Sequence, residues 1–441
     1  MQLGSKLVGA ALALAITTPL AARAGEDTAA TAPTFKEGDV ISFDNVESLK
    51  PFLPPEFWAN RDFFFYEGMK LEVGPSFADY SPAKEYQDAT AKYSGNVKIG
   101  PDGSLEGYTA GQPFPVDKID CKGDPNAGVK IMWDFDYQWE GDGGAAKFFY
   151  SYWDRGEQLP LYYEGQARGI QLANRVEKEY LDENQGDIFK GEKRKLAASI
   201  EVQAPFDARG IALLSYRYKA SDGPRDQAKN DDTWVYVPQL RRVRRISTAQ
   251  RTDAVSGTDF TLDDLRSFAG IVPQYEWTCL GEQDIIAPMN TKVKGYPYEK
   301  DHNFGPYGLS FASDRWELRH AVKVRMKPKN ADHPYHHKDI YIDKQTMTPL
   351  YSFAYDQKEE LWKIIWHNKR WSEDRSWDPD YYPAWEGVAA PRDSKVVSDI
   401  IVNVQTGTGN RIEFWDVSGT PLASKGQVRR YIDVGRLTKG R

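Results

Sequence analysis

Half of the six histidines fall within five residues, His333-Pro334-Tyr335-His336-His337. Neutral imidazoles in such a cluster are ligands for zinc or copper. Spacing counts against a metal: His336 and His337 are adjacent and would point to opposite faces of a strand, and no glutamate stands at zincin spacing. The other reading of His333, His336 and His337 is an exposed loop ahead of a strand, so no cofactor is expected. Asp231-Asp232 and Asp263-Asp264 are paired carboxylates, but a glycosidase needs its two acids facing each other across a cleft, which sequence neighbours do not supply. The chain has no Gly-x-Ser-x-Gly elbow, no phosphate-cradling glycine loop and no cysteine with a convincing catalytic partner. Catalysis is therefore not expected.

The strongest concentration of charge is Val237-Pro238-Gln239-Leu240-Arg241-Arg242-Val243-Arg244-Arg245-Ile246, preceded by Asp232-Thr233-Trp234-Val235-Tyr236 and followed by Gly257-Thr258-Asp259-Phe260-Thr261-Leu262-Asp263-Asp264-Leu265. It reads as a strand, a proline-marked turn, an arginine-bearing strand, a loop and a short helix capped by Thr261. In a regular strand Arg241 and Arg245 share one face with Val243, and Arg242 and Arg244 share the other with Ile246. Arginines on both faces need carboxylates wherever a face is covered, and Asp259, Asp263 and Asp264 are near in sequence. A structural ion-pair network, a docking surface for a partner and an anionic headgroup site all fit this segment.

The N-terminus supplies an address. Lys6, the apolar run Leu7 to Ile16, Pro19 and Ala22-Arg23-Ala24 have the form of a cleavable secretory signal over residues 1–24, with the mature chain starting at Gly25. The apolar run is about half the roughly 20 residues a bilayer-spanning helix needs, so a retained anchor is the weaker reading. No cysteine stands at the cleavage site, which disfavours a lipid anchor, and no later stretch is long and apolar enough to span a membrane. The formal charge of −7 becomes −9 once Lys6 and Arg23 leave without an acid. An acidic periplasmic chain is not expected to bind nucleic acid. The only two cysteines, Cys121 and Cys279, would sit in an oxidising compartment, where a disulfide is expected; two inert buried thiols are the alternative.

Residues 25–40, rich in Ala, Thr, Pro and Glu, read as a flexible lead-in, and 41–441 as a single large domain with an N-terminal helical segment. One helix is expected around Asn45 to Phe65, broken at Pro54-Pro55; a second has Ser81 as N-cap, Pro82 at its first position and Tyr86, Ala89, Thr90 and Tyr93 on one face. From about residue 128 the period becomes two. Ile131, Trp133, Phe135, Tyr137 and Trp139 alternate with Asp134, Asp136 and Gln138; Leu318, His320, Val322, Val324 and Met326 alternate with Arg319, Lys323, Arg325 and Lys327. Such strands have one dry and one wet face, as in an antiparallel sheet covered on one side. Further strands are expected at Phe148–Trp153, Leu196–Gln203, Ile211–Tyr218, Trp234–Val237, Ile340–Asp343, Leu350–Tyr355, Leu361–Trp366 and Val396–Val404, with short turns such as Asp343-Lys344-Gln345-Thr346. No fixed repeat is present, which argues against a propeller or solenoid.

The tryptophan strand, the Val-Pro-x-Leu-Arg-Arg-Val-Arg-Arg run and the Gly-x-Asp-Phe-x-x-Asp-Asp-Leu segment resemble outer-membrane-lipoprotein-sorting-like proteins of the LolA/LolB superfamily. More closely, the whole mature chain resembles domain-of-unknown-function family 1329; Tyr108 to Pro115, Tyr341 to Thr346, Tyr355-Asp356, Leu361 to Lys363 and Gly435 to Leu437 carry the likeness. The resemblance implies an α+β, predominantly antiparallel fold: a large, curved, incomplete β-barrel whose concave face is covered by helices and holds a hydrophobic ligand. It also implies service to an export system, with a resistance-nodulation-division-type inner-membrane transporter and an outer-membrane protein as partners. The chain departs from LolA and LolB in being about twice as long, and from LolB in lacking a lipobox cysteine.

A periplasmic carrier or binding protein for a lipid or other hydrophobic molecule is therefore expected. Thirteen tryptophans, 25 tyrosines and 20 phenylalanines supply the apolar surface, as core or as cleft lining. The cavity is expected at Trp133, Phe135, Tyr137, Trp139, Phe148, Tyr150, Leu213, Trp234, Val322 and Val324. The alternative is a carbohydrate-binding or polysaccharide-processing protein, since tryptophan-rich sheets also stack sugars. A sugar binder would show exposed coplanar rings, a lipid carrier a buried apolar tunnel.

Overall fold

The sheet that dominates the protein is made of two antiparallel meanders. Strands are numbered along the chain. The first meander runs β5 (Gly143–Asp154), β6 (Glu157–Gln171), β7 (Arg194–Ala204), β8 (Ala212–Tyr218), β9 (Asp232–Val237) and β10 (Arg242–Ile246). The second runs β12 (Arg315–Pro328), β13 (His337–Asp343), β14 (Pro349–Tyr355), β15 (Leu361–Trp371), β16 (Ser394–Asn403) and β17 (Thr408–Ser418). Pairing of β17 with β5, Ile412 opposite Tyr150, joins them. β11 (Tyr275–Pro288) pairs along β12, while β1 (Val40–Ile41) and β2 (Leu71–Val73) extend the other end, β2 parallel to β12. This curved, 15-stranded sheet does not close, and β3 (Lys98–Ile99) with β4 (Leu105–Glu106) forms a separate pair. The expected α+β, predominantly antiparallel incomplete barrel is thus what the chain forms. The computed structural model describes residues 32–219, 229–246, 251–292, 304–374, 392–418 and 424–439. The signal-peptide reading and residues 25–31 of the lead-in therefore lie outside the described residues, and contacts group Phe35–Arg441 into one unit.

Every strand expected from period-two patterning after residue 140 is present, but Ile131–Trp139 is not a strand. Residues Ala127–Asp136 form helix α3, with seven of its residues buried, among them Met132 and Asp134. A helix buried nearly all round has no polar stripe to show a period of 3.6, so its alternating aromatic residues imitated a strand. Asp134, placed on the wet face by alternation, is fully buried and accepts hydrogen bonds from the Phe114 N–H at 2.7 Å and the Gln112 amide at 3.1 Å. Gly128 lets α3 lie against β11, since a Cβ there would come within 2.7 Å of the Trp277–Thr278 backbone. The Cys121–Cys279 disulfide ties the segment ahead of α3 to β11.

The expectation of one dry and one wet face also fails for the central strands. One face of β13–β16 carries Tyr351, Phe353 and Trp366 into a core with Trp316 and the N-terminal segments, where Phe57 stacks on Phe64 at 4.2 Å and meets Trp366 at 5.0 Å. Those segments are a 3-10 run Phe43–Phe52, helix α1 (Pro55–Ala59) and a 3-10 turn Arg61–Phe63, interrupted at Pro54-Pro55. The opposite face packs Val322, Val324, Ile340 and Ile342 against α3, with Phe268 and Trp277. Charged residues between these layers are buried, and many are matched: Arg319, 2% exposed, binds Asp343 at 2.9 Å. Helix α2 (Lys84–Tyr93) begins two residues after Pro82, without a side-chain cap. Helix α4 (Lys178–Asn184) precedes β7, and helix α5 (Lys425–Tyr431) packs beneath β7–β9.

Candidate functional site

Strands β7, β8 and β9 alternate between two environments. Ala197, Leu214 and Tyr216 face α5 and the C-terminal 3-10 turn, whereas Leu196, Ala198, Ile200, Leu213, Ser215, Arg217 and Thr233 line a pocket of about 310 Å³. That volume is at the lower end of the roughly 300–1,000 Å³ typical of small-molecule sites. A 3-10 segment, Leu262–Ser267, and the residues after it form the facing wall with Leu262, Leu265 and Phe268. The end wall comes from the C-terminus of α3 and beyond, Phe135 to Asp142, and from Asn174 to Glu177. Ile200 and Leu262, each 38% exposed, lie where the pocket meets solvent.

The deep end of this pocket is ionic. Lys195 Nζ binds Asp136 at 2.8 Å and lies 3.9 Å from the Tyr137 ring centre. Arg217 grips Asp231 through two hydrogen bonds of 3.1 and 3.0 Å, and Arg251 bridges Asp231 and Asp263, both at 2.7 Å. Arg175 binds Asp142 at 3.0 Å and also Glu177, and Arg266 pairs with Glu140. Burial would raise the Asp231 carboxyl, but the guanidiniums of Arg217 and Arg251 hold it below the usual carboxylate range. Burial pulls the Lys195 ammonium down against the attraction of Asp136. Such pairs survive burial because each charge has a partner in hydrogen-bonding geometry.

Beneath the 262–267 segment lies a second polar cluster. Asp264, 0% exposed, accepts from Lys338 at 2.7 Å, Lys363 at 3.2 Å and Tyr335 Oη at 2.7 Å. Burial opposes its ionisation, yet the two ammoniums hold it far below the usual range. Nearby, Ser267 Oγ lies 2.7 Å from His367 Nε2, and His367 Nδ1 lies 2.5 Å from Asp399 Oδ1. This order of groups matches a nucleophile, base and orienter. All three are 0% exposed, and Ser267 is not among the pocket-lining residues. The chain of hydrogen bonds fastens the 262–267 segment to β15 and β16, where His367 sits opposite Asp399.

A family model described as a protein of unknown function (DUF1329) matches residues 40–389. The chain belongs to the DUF1329 family. Among solved structures, a DUF1329 family protein from Desulfovibrio piger is 17% identical, over 71% of this chain and 99% of that one, with a TM-score of 0.46. A putative outer membrane lipoprotein-sorting protein domain from Vibrio parahaemolyticus is 16% identical over 71% and 100%, with a TM-score of 0.46. A LolA superfamily protein from Nitrosomonas europaea is 10% identical over 65% and 90%, with a TM-score of 0.34. No curated protein matches the chain.

In this DUF1329 chain the expected cavity residues divide. Phe135, Tyr137, Trp139 and Leu213 line the pocket. Trp133 is buried beside α3's own neighbours and donates its indole N–H to the Gly103 carbonyl at 2.9 Å. Val322 and Val324 lie under α3, and Trp234 turns to the opposite face, 4.9 Å from Tyr216. Phe148 and Tyr150 pack beneath Phe260 and Leu265, with Tyr150 Oη 2.6 Å from Thr258 Oγ1.

The arginine segment is a strand at the sheet's edge, without the pairing that proximity in sequence implied. Arg241 occupies a left-handed turn position, φ +49°, and β10 begins at Arg242. Arg241, Arg242, Arg244 and Arg245 are exposed; Arg245 binds Asp232. Asp259 instead accepts from Asn403 and Thr408, Asp263 from Arg251 and Tyr275, and Asp264 from the two lysines. Beside this edge, the β7–β8 turn presents Phe206, 91% exposed, and Gln239 ties the two turns together by donating to the Asp207 carbonyl at 2.6 Å.

The histidines are not an exposed loop. His333 and His337 are each 7% exposed, and His337 stacks on Tyr355 at 4.1 Å. Burial pushes His333 down to about 4. Among the described residues no three His, Cys, Asp or Glu side chains converge on a metal-binding arrangement. Sequence reasoning missed Lys195, Arg217 and Arg251, and named Asp231 only as half of a carboxylate pair without a catalytic geometry. For Arg217 the signal was available, since parity places it on the same face of β8 as Leu213.

Proposed function

We propose that this protein is a periplasmic carrier or binding protein for a lipid or other hydrophobic molecule, serving an envelope-transport or export system. The observation that carries the reading is the pocket between β7–β9 and the 262–269 segment. Leu196, Ile200, Leu213, Leu262, Leu265 and Phe268 give it an apolar strip that ends against a partly buried ionic wall. An apolar channel with a few convergent polar groups holds and orients an amphiphile. No described tryptophan or tyrosine is exposed, so the sugar-stacking alternative lacks its platform among these residues. No described helix is long and apolar enough to cross a membrane. We assign the exposed arginine edge of β10, with Phe206 beside it, to docking on a partner such as the transporter or outer-membrane protein that the family resemblance implies.

Native mass spectrometry of protein purified from the periplasm tests the carrier reading. A hydrophobic molecule should accompany the wild-type chain. Leu213→Trp, which fills the pocket with an apolar ring, should fold and lose it. Equal lipid content in a folded Leu213→Trp protein would overturn the assignment of this pocket.

A further inference from the structure

Strand parity divides the arginine edge between the two faces of the sheet. Val243 packs with Trp234 and Tyr236 against α5 and the C-terminal 3-10 turn, and Arg245 reaches Asp232 on that side. Arg242, Arg244 and Ile246 therefore stand on the other face, the one that lines the pocket. The register agrees: Leu213 lies opposite Val235, which lies opposite Arg244, and Ser215 lies opposite Thr233, which lies opposite Ile246. Leu213, Ser215 and Thr233 are pocket residues. Neighbouring strands are about 4.8 Å apart, so Arg244 stands about 10 Å across the sheet from Leu213, on the same side. The ground between them is apolar, with Val235 half-buried and Ile246 36% exposed.

A guest in this pocket meets two kinds of cation. Those of the inner wall, Arg175, Lys195, Arg217, Arg251 and Arg266, each hold a carboxylate already. Arg242 and Arg244 are exposed and pair with no acid among the described residues. They are two residues apart on one strand face, about 7 Å, a spacing from which both guanidiniums can reach a single phosphate or carboxylate group. A charge placed against the inner wall competes with pairs already made, whereas at the edge it stays in water and meets two free cations.

We infer that the pocket takes an anionic amphiphile tail first, with its hydrocarbon between Leu213 and Leu265 and its head group outside on Arg242 and Arg244. This inference rests on the carrier reading of the same pocket; Arg241 and Arg245, with Phe206, stay with the docking edge. The chemistry recognised is an exposed oxyanion, a phosphate above all, which guanidinium planes grip with paired hydrogen bonds.

The test uses the chain purified from the periplasm and stripped of lipid, with two probes that share an acyl chain and a glycerol: monooleoylglycerol and oleoyl lysophosphatidate. In low salt lysophosphatidate should bind about three- to tenfold more tightly, as two exposed ion pairs allow, and the margin should shrink as salt screens them. Arg242→Gln with Arg244→Gln should remove the margin and leave monooleoylglycerol affinity unchanged. Arg241→Gln, in the turn before the strand, should keep the margin; its loss there too would mean unspecific attraction to the arginines and overturn the assignment. Leu213→Trp should weaken both probes, and glycerol 3-phosphate, a head without a tail, should not displace lysophosphatidate at equal concentration. Displacement, or lysophosphatidate binding undiminished by Leu213→Trp, would make this a site for free phosphate and detach it from the pocket. Equal affinity for the two probes, or a margin that survives in the Arg242→Gln, Arg244→Gln protein, overturns the head-group assignment and leaves the carrier reading standing. Failure of both probes to bind overturns both.

Discussion

Lys369 should destabilise the protein, and replacing it with methionine should reveal by how much. It lies on β15 with 0% exposure, and its Nζ has no hydrogen-bond partner. Burial pulls it from 10.5 to about 7, a fall resisted by Asp343 and Asp399 and reinforced by Arg266 and Arg319. The difference of 10.5 − 7 = 3.5 units, at about 1.36 kcal/mol each, sets a ceiling of about 5 kcal/mol on the cost of the buried ammonium. Relaxation around the site reduces this to about 3–4 kcal/mol. The sign follows from proton binding. Between the folded value of about 7 and the unfolded value of 10.5, the unfolded chain holds a proton that the folded chain lacks. Wild-type stability from this group therefore rises across that window by up to about 1.4 kcal/mol per pH unit, and the cost is fully present below it. Lys369→Met has no such dependence. Urea unfolding at about pH 6, 7.5 and 9 should find the variant more stable, with the largest gap at the lowest pH and a gap about 1.5–3 kcal/mol smaller at the highest. A gap that does not change with pH, or a variant less stable throughout, would refute the reasoning and place Lys369 in a solvated or paired state.

The Cys121–Cys279 bridge spans 158 residues, so Cys121→Ser with Cys279→Ser should lower stability by about 2–5 kcal/mol, read as a fall in thermal midpoint under oxidising conditions. An unchanged midpoint would show that the segment before α3 is held by packing alone. Arg242→Ala with Arg244→Ala should change unfolding free energy by less than about 1 kcal/mol, because both side chains are exposed at the sheet edge. Lys338→Ala, by contrast, removes one of the two ammoniums at the fully buried Asp264 and should cost about 3 kcal/mol or more. Equal losses in the two proteins would return the arginines to a structural network.

Strand positions after residue 140 were legible because alternation survives wherever one face is apolar. Edges differ by a few residues: Leu361–Trp366 continues to Trp371, since His367, Asn368, Lys369 and Arg370 are buried in spite of their polarity. Composition gives no warning of a strand that carries four polar residues in succession. Glu157–Gln171, Tyr275–Pro288 and Thr408–Ser418 were not expected; the first bears glycine and glutamine and is half-buried along most of its length. α3 was misread in the other direction. Trp133 and Tyr137 are four residues apart, as are Ile131 and Phe135, so the pattern that alternates on a strand also repeats along a helix.

The pocket was legible on one wall only. Leu213 could be placed by parity, and with it Ser215 and Arg217, but the opposing wall depends on where a short 3-10 segment docks. That docking is fixed by buried polar side chains distant in sequence. Asp264 meets Lys338 and Lys363, Ser267 meets His367, and Asp263 meets Arg251 and Tyr275. The Asp263-Asp264 pair, which invited comparison with a catalytic dyad, therefore divides its work: Asp263 turns to the ionic wall of the pocket, while Asp264 anchors the covering segment to the sheet. Adjacent residues with opposite directions explain both the position of the pocket roof and the balance of charge beneath it. The charge balance in turn sets which end of a guest enters, because arginines already committed to Asp231, Asp263, Glu140 and Asp142 have little left to offer an anion.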